Sequence, residues 1–128
     1  MDRVTGIGGI FFKAHDPEKL KVWYRQHLGI EPGDDGTVVF QWREQHRPDL
    51  VGTTVWAPFP HDTRYFDPSS KPFMINYRVA NLGWLLEQLR AEGVQVEDQI
   101  EEHEYGRFAW VIDPEGNRVE LWEPAEGQ

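Results

Sequence analysis

One acidic side chain, Glu120, is the strongest candidate for chemistry in this sequence of 128 residues. It lies in residues 111–122 (VIDPEGNRVELW), where β-branched and aromatic residues flank a group of turn-forming residues. This pattern predicts a strand, a tight turn and a second strand. Because strand side chains alternate between faces, Glu120 should share one face with Arg118 and Trp122. A half-buried carboxylate on that face could have a raised pKa and act as a catalytic acid or base.

The composition predicts one acidic domain across residues 1–128, because 39% hydrophobic residues in a chain of this length suffice for a single core. The formal charge of -9 argues against a nucleic-acid partner, since phosphate backbones are bound through basic patches. The chain contains no cysteine, and it has no apolar run of membrane-spanning length. We therefore expect a cytoplasmic protein without disulfides, without a Cys-based metal site and without a membrane partner.

Two helices are predicted from capping residues and apolar spacing. The first has Asp16 as its N-cap and Gly29 as its C-terminal stop, and the second is capped by Asn81 and stopped by Gly93. Each carries apolar or aromatic residues at i, i+3, i+4 and i+7, which predicts one face packed in a core. The predicted stripes are Leu20, Trp23, Tyr24, His27 and Leu28 in the first helix, and Leu82, Leu85, Leu86 and Leu89 in the second.

Alternating apolar patterns predict the strands, and irregular composition predicts the segment between them. The strands are expected at residues 6–14, 37–43, 53–59, 73–79, 94–96, 106–112 and 118–122. Residues 61–72 are rich in proline, polar and small residues, which indicates irregular structure. That connector is interpreted either as a lid over a pocket or as a plain linker.

An internal repeat relates the two halves of the chain. The strand sequence IFFKA at residues 10–14 corresponds to INYRV at residues 75–79, at a shift of 65. Asp16 and Asn81 show the same shift. Two copies of a long repeat indicate two similar modules that bury a shared core. We expect β-α-β-β-β modules at about residues 4–60 and 73–124, joined by the connector.

The repeated strand-to-helix segments, together with the ending DPEGNRVELW at residues 113–122, resemble the vicinal oxygen chelate superfamily. This family includes glyoxalase I, extradiol dioxygenases, methylmalonyl-CoA epimerases, and fosfomycin and bleomycin resistance proteins. The resemblance covers nearly the whole chain. It implies an α+β, glyoxalase-like fold in which two modules form a curved mixed sheet around a cavity, and it also implies a homodimer.

The resemblance further implies four positions where metal-dependent members carry ligands. Matching them by the repeat gives Gly9, Trp56, Met74 and Glu120. Only Glu120 is a suitable ligand, and one carboxylate cannot hold a divalent ion without about two further protein ligands. We therefore expect no metal and no other cofactor. The histidines predicted in turns or loops, which are expected at the surface, are His15, His46, His61 and His103.

The same alignment predicts a cavity wall suited to a small molecule, because it combines aromatic and aliphatic residues with a few polar groups. Lys13 and Arg78 occupy equivalent repeat positions, so either could pair with a substrate acid or with Glu120. Three functions remain open: a metal-independent glyoxalase-like lyase or isomerase, a non-catalytic sequestration protein, or a metal-dependent lyase or dioxygenase with non-standard ligands. The expected ligand-binding residues are Phe11, Lys13, Trp56, Met74, Asn76, Arg78 and Glu120.

Overall fold

The computed structural model describes residues 3–128, which form eight strands and two helices. The helices are α1 (Pro17–Leu28) and α2 (Leu82–Ala91). The strands are β1 (Val4–Ala14), β2 (Val38–Arg43), β3 (Val51–Pro60), β4 (Phe73–Val79), β5 (Gln95–Val96), β6 (Glu101–His103), β7 (Gly106–Ile112) and β8 (Arg118–Pro124). They build one curved mixed sheet, so the predicted α+β, glyoxalase-like class is confirmed.

The order of the strands shows how the two modules join. The sheet runs β2-β3-β1-β4-β8-β7-β5, with β6 paired to β7 at the side. The first strands of the modules, β1 and β4, pair antiparallel with each other, while β1 pairs parallel with β3 and β4 parallel with β8. Both modules of one chain therefore share one sheet.

The predicted element bounds agree closely with the structure in the second half and less well in the first. Strands β4 and β7 were predicted to the residue, and the Asp16 and Asn81 caps accept hydrogen bonds from Lys19 N and Trp84 N. The short strand β6 was missed, because its acidic sequence lacks apolar alternation. Within the described residues, module 1 has two strands after its helix rather than three.

The two helices differ in burial, although their sequence patterns are alike. In α2, Leu82, Leu85 and Leu86 are buried in the core formed with β4, β7 and β8. The predicted core stripe of α1 is wrong, since no residue of this helix is buried and Trp23 and Leu28 are 50% and 60% exposed. Periodicity predicts which face of a helix is apolar, but it does not show that anything covers that face.

The turn between β7 and β8 fixes the register that matters for the site. Asp113 Oδ1 accepts hydrogen bonds from the backbone N–H groups of Glu115 and Asn117, each at 2.9 Å, and Gly116 adopts a left-handed φ of 83°. This turn places Trp110 directly opposite Glu120 on the neighbouring strand. No helix between residues 3 and 128 has the length and apolar character needed to cross a membrane.

Candidate functional site

Glu120 lies at the centre of the concave face, and its carboxylate is held by three neutral donors. The hydroxyl of Tyr65 donates to Oε2 at 2.5 Å, and the indole N–H of Trp110 donates to the same oxygen at 2.9 Å. The side-chain amide of Asn76 donates to Oε1 at 2.6 Å. Only 2% of the surface of Glu120 is exposed, so its carboxylate is bonded to protein groups rather than to solvent.

Each donor comes from a different element, so the carboxylate ties four segments together. Asn76 lies beside Glu120 in the parallel β4–β8 register, and Trp110 lies opposite it in the antiparallel β7–β8 register. Tyr65 comes from the connector, 55 residues away in sequence. The hydrogen bonds to Glu120 therefore come from the second module and from the connector.

Burial raises the pKa of Glu120 above the ordinary value of a glutamate, and the three hydrogen bonds oppose that rise. Burial also raises the pKa of the Tyr65 hydroxyl, and the nearby charge of Glu120 adds to this effect. Tyr65 therefore keeps its proton and acts as a donor, whereas Glu120 is the group that can change charge.

This raised pKa predicts a pH dependence of stability. A carboxyl group with a raised pKa in the folded state stabilises the protein while the carboxyl group is neutral. For Glu120 this contribution is lost as the pH rises from the ordinary glutamate pKa of 4.5 through the higher pKa of the folded state. The free energy of unfolding of the wild type, measured relative to Glu120→Gln, should therefore fall over that window. Urea titrations at several pH values would measure it, and a flat difference would contradict the prediction. Other shifted acids, such as Asp35 and Asp113, are present in both proteins and cancel in the comparison.

A cavity of about 300 Å³ opens beside Glu120 on the concave face. Its walls are mainly apolar and aromatic, and its polar groups include Asn76 and Glu120. The cavity stands at the small end of ligand sites, which predicts an occupant of one or two rings. The residues that line the cavity include Gly8, Phe11, Thr53, Val55, Phe108, Trp122 and Gln128.

The connector fills the adjacent part of the concave face. Phe66 is fully buried against Met74 and Trp110, and Phe11 and Phe59 pack around this cluster. The Nζ atom of Lys13 lies 5.7 Å from the centre of the Phe66 ring. Of the two interpretations of the connector, the plain linker is wrong, because the segment contributes a core side chain and a donor to Glu120.

Arg78, predicted on the cavity wall, lines the neighbouring cleft instead and does not pair with Glu120. Its guanidinium donates to Thr53 Oγ1 at 3.0 Å and to the main-chain oxygen of Gln128 at 2.9 Å. It lies over the rings of Trp42 and Trp122, at 5.6 and 4.9 Å from their centres. Burial lowers the pKa of Arg78. Within the described residues no side-chain carboxylate accepts a hydrogen bond from Arg78, although the charge of Glu44 opposes the lowering of its pKa.

The predicted position of Trp56 on the cavity wall is wrong. Its ring packs against Phe12 at 5.4 Å and against Tyr24 of α1 at 5.0 Å, on the helix side of the sheet. The registers explain the error, because Asn76 pairs with Glu120 while its repeat counterpart Phe11 pairs with Ala57. The position equivalent to Glu120 is therefore Ala57, one residue beyond the predicted one, and such a slip exchanges the faces of a strand.

Comparison with known proteins agrees with this architecture. The model of the Glyoxalase/Bleomycin resistance protein/Dioxygenase superfamily matches residues 6–121. The chain belongs to this superfamily. The sequence-based resemblance is thereby confirmed, and no curated protein sequence matches the chain.

Solved structures share the fold at low sequence identity. A methylmalonyl-CoA epimerase from Mycobacterium tuberculosis is 21% identical, with a TM-score of 0.59 over 98% of this chain and 91% of its own. An epimerase from Streptomyces coelicolor is 18% identical, with a TM-score of 0.67 over 95% and 99%. A protein described as NAD-dependent benzaldehyde dehydrogenase from Legionella pneumophila is 12% identical, with a TM-score of 0.58 over 91% and 98%. These identities show the fold alone.

The positions that hold metal in metal-dependent members of the superfamily do not fit a divalent ion in this chain. Gly9 and Met74 offer no oxygen or nitrogen side-chain ligand, and Ala57, which takes the place predicted for Trp56, offers none either. The fourth, Glu120, already accepts three hydrogen bonds from protein donors. Within residues 3–128 no three His, Cys, Asp or Glu side chains cluster as a metal site.

The four histidines predicted at the surface lie there, whereas several residues around Glu120 were not predicted from the sequence. His15, His46, His61 and His103 are exposed, as predicted. Trp110 could have been found from its position opposite Glu120 in the predicted hairpin, and Trp122 from its shared face with Glu120. Tyr65 and Phe66 had no sequence signal, because their positions depend on how an irregular segment folds back over the sheet.

Proposed function

We propose that this protein binds a small, largely aromatic molecule in the cavity beside Glu120, without a metal ion. The observation that carries the proposal is the cavity itself, whose walls are mainly apolar and aromatic and whose polar groups include Asp35, Asn76 and Glu120. Asn76 and Glu120 are already bonded to each other, and the carboxylate to Tyr65 and Trp110 as well. Most of the binding free energy is therefore expected from burial of apolar surface.

In this proposal Glu120 holds the site together rather than transferring protons. A catalytic base needs a lone pair within hydrogen-bond reach of the substrate, whereas three of the acceptor positions of Glu120 are taken by protein donors. Sequestration of the ligand without turnover, as in bleomycin resistance proteins, fits this arrangement.

A metal-independent lyase or isomerase is the second candidate. It is favoured by the raised pKa of Glu120, because a raised pKa makes a carboxylate a stronger proton acceptor. Because methylmalonyl-CoA epimerases are among the similar structures, acyl-CoA thioesters should be tested as substrates. The formal charge of -9 opposes binding of a phosphate-rich coenzyme. Turnover that is lost in Glu120→Gln while binding persists would favour this candidate.

A variant that fills the cavity tests the binding proposal. Val55 lines the cavity, and a tryptophan at this position should occupy the space intended for the ligand. We expect Val55→Trp to abolish the thermal stabilisation that one- and two-ring aromatic compounds give the wild type. The matched control is Ile100→Trp, since Ile100 is 39% exposed and lies outside both α1 and the cavity lining.

Two results would contradict the binding proposal. One is an absence of stabilisation of the wild type by every compound in a broad aromatic screen. The other is equal stabilisation of Val55→Trp and Ile100→Trp, which would place the ligand outside the cavity. Stabilisation of the wild type by a divalent metal alone, lost in Glu120→Ala, would overturn the metal-free part.

A homodimer and a cytoplasmic location both stay predictions. The homodimer is supported by the half-exposed aromatic and aliphatic residues of α1, including Trp23 and Leu28, because large exposed apolar areas mark interaction surfaces. Sedimentation equilibrium of the wild type would measure the oligomeric state. A monomer at all accessible concentrations would contradict it.

A further inference from the structure

Arg78 is a buried cation whose hydrogen bonds are incomplete. It is 5% exposed, and its Nε atom has no hydrogen-bond partner. Its terminal nitrogens bond to oxygens of Thr53 and Gln128, none of which is a side-chain carboxylate. A buried charge is costly unless it is paired and fully hydrogen-bonded. The position therefore carries an unused capacity to bind an anion.

The residues around Arg78 hold its guanidinium in a position suited to binding a planar anion. The guanidinium lies over the rings of both Trp42 and Trp122, and these two contacts restrict its orientation. Gly8 allows the side chains of Arg78 and Trp122 to lie close to the backbone of β1, because a Cβ atom at this position would lie 3.0 Å from Arg78 Cγ and 2.9 Å from the Trp122 ring. A guanidinium held in one plane matches the two oxygens of a carboxylate, which it binds with parallel hydrogen bonds.

The chain's own C-terminal segment covers the guanidinium. The main-chain oxygen of Gln128 accepts the hydrogen bond from Arg78, and Gln128 is itself exposed. Gln128 lines the ligand cavity and also the neighbouring cleft that contains Arg78. Removal of this residue would therefore connect the cavity with the guanidinium. The oxygen of Gln128 occupies a place that a ligand oxygen could take.

We propose that Arg78 is the anion-binding residue of the cavity and that the ligand is an aromatic monocarboxylate whose carboxylate displaces Gln128. The aromatic body then lies against Phe11, Phe108 and Trp122, which line the cavity. This inference rests on the proposed function, because it names the class of ligand for the same cavity. Asp35 and Glu120 also line the cavity and repel anions, so selection of a carboxylate depends on its bond to Arg78.

The test compares 2-naphthoate with its neutral methyl ester, titrated calorimetrically into the full chain at pH 7. We expect naphthoate to bind the wild type at least tenfold more tightly than the ester. In Arg78→Gln the ratio of the two affinities should fall to about one. Deletion of residues 126–128 should raise the affinity for naphthoate more than that for the ester, and it keeps the hydrogen bond from Ala125 N to Tyr105 O.

The outcomes separate this inference from the proposed function. Equal binding of naphthoate and ester by the wild type would overturn the assignment of a carboxylate and leave the proposed function standing. Failure of both compounds to bind would count against both. A preference for naphthoate that survives in Arg78→Gln would place the anion elsewhere. If Arg78→Gln does not fold, the deletion decides, because an unchanged ratio of affinities after the deletion would overturn displacement of Gln128.

Discussion

Replacement of Glu120 by alanine should lower the free energy of unfolding by about 3–5 kcal/mol. The substitution leaves three donors, from Tyr65, Asn76 and Trp110, without their acceptor. A buried polar group that loses its partner costs about 1–3 kcal/mol, and relief of the buried charge offsets part of the sum. Urea denaturation at pH 7 would measure the loss.

Glutamine at the same position is the matched control. The amide oxygen can accept from Tyr65 and Trp110, and the amide N–H can face Asn76. Asn76 can then rotate its own amide and present Oδ1, which has no hydrogen-bond partner in the wild type. Glu120→Gln should therefore cost only about 1 kcal/mol. Equal losses for alanine and glutamine would show that the negative charge, rather than the supply of acceptors, stabilises the site.

The contrast between Glu120 and its donors shows what the sequence could predict about the site. The ending of the chain identified the superfamily and placed Glu120 on the concave face, because hairpins follow from local turn chemistry and alternation. Asn76 was found through the repeat. Tyr65 was not, since its hydrogen bond to Glu120 joins residues 55 positions apart across an irregular segment.

Register and burial were the two properties that the pattern could not provide. Trp56 was assigned by counting along the repeat, and a difference of one residue between β3 and β8 moved it to the opposite face. The stripe of α1 was read correctly as a face, yet Trp23 is half exposed on it. Both errors concern tertiary contacts, and a sequence period of two or 3.6 residues carries no information about such contacts.

Phe66 anchors the connector in the core, so its removal should have a large effect on stability. The ring is fully buried, lies 5.3 Å from the Phe59 ring and packs against Met74 and Trp110. Phe66→Ala should lower the free energy of unfolding by about 3–5 kcal/mol, which is the usual cost of removing a buried phenylalanine. Thermal and urea unfolding would measure it.

A second measurement shows whether the connector itself is released in Phe66→Ala. Arg64 is an exposed trypsin site two residues before Phe66, with 90% of its side-chain surface accessible. Loss of the anchor should accelerate cleavage there, because proteolysis requires local opening of the segment. Phe40→Ala is the matched control, since Phe40 is 46% exposed on β2 and should cost less than about 1 kcal/mol. Equal stability losses and equal cleavage rates in the two variants would show that the connector does not depend on Phe66. Faster cleavage in Phe66→Ala alone would show that this one side chain holds the connector, and with it the Tyr65 donor, against the concave face.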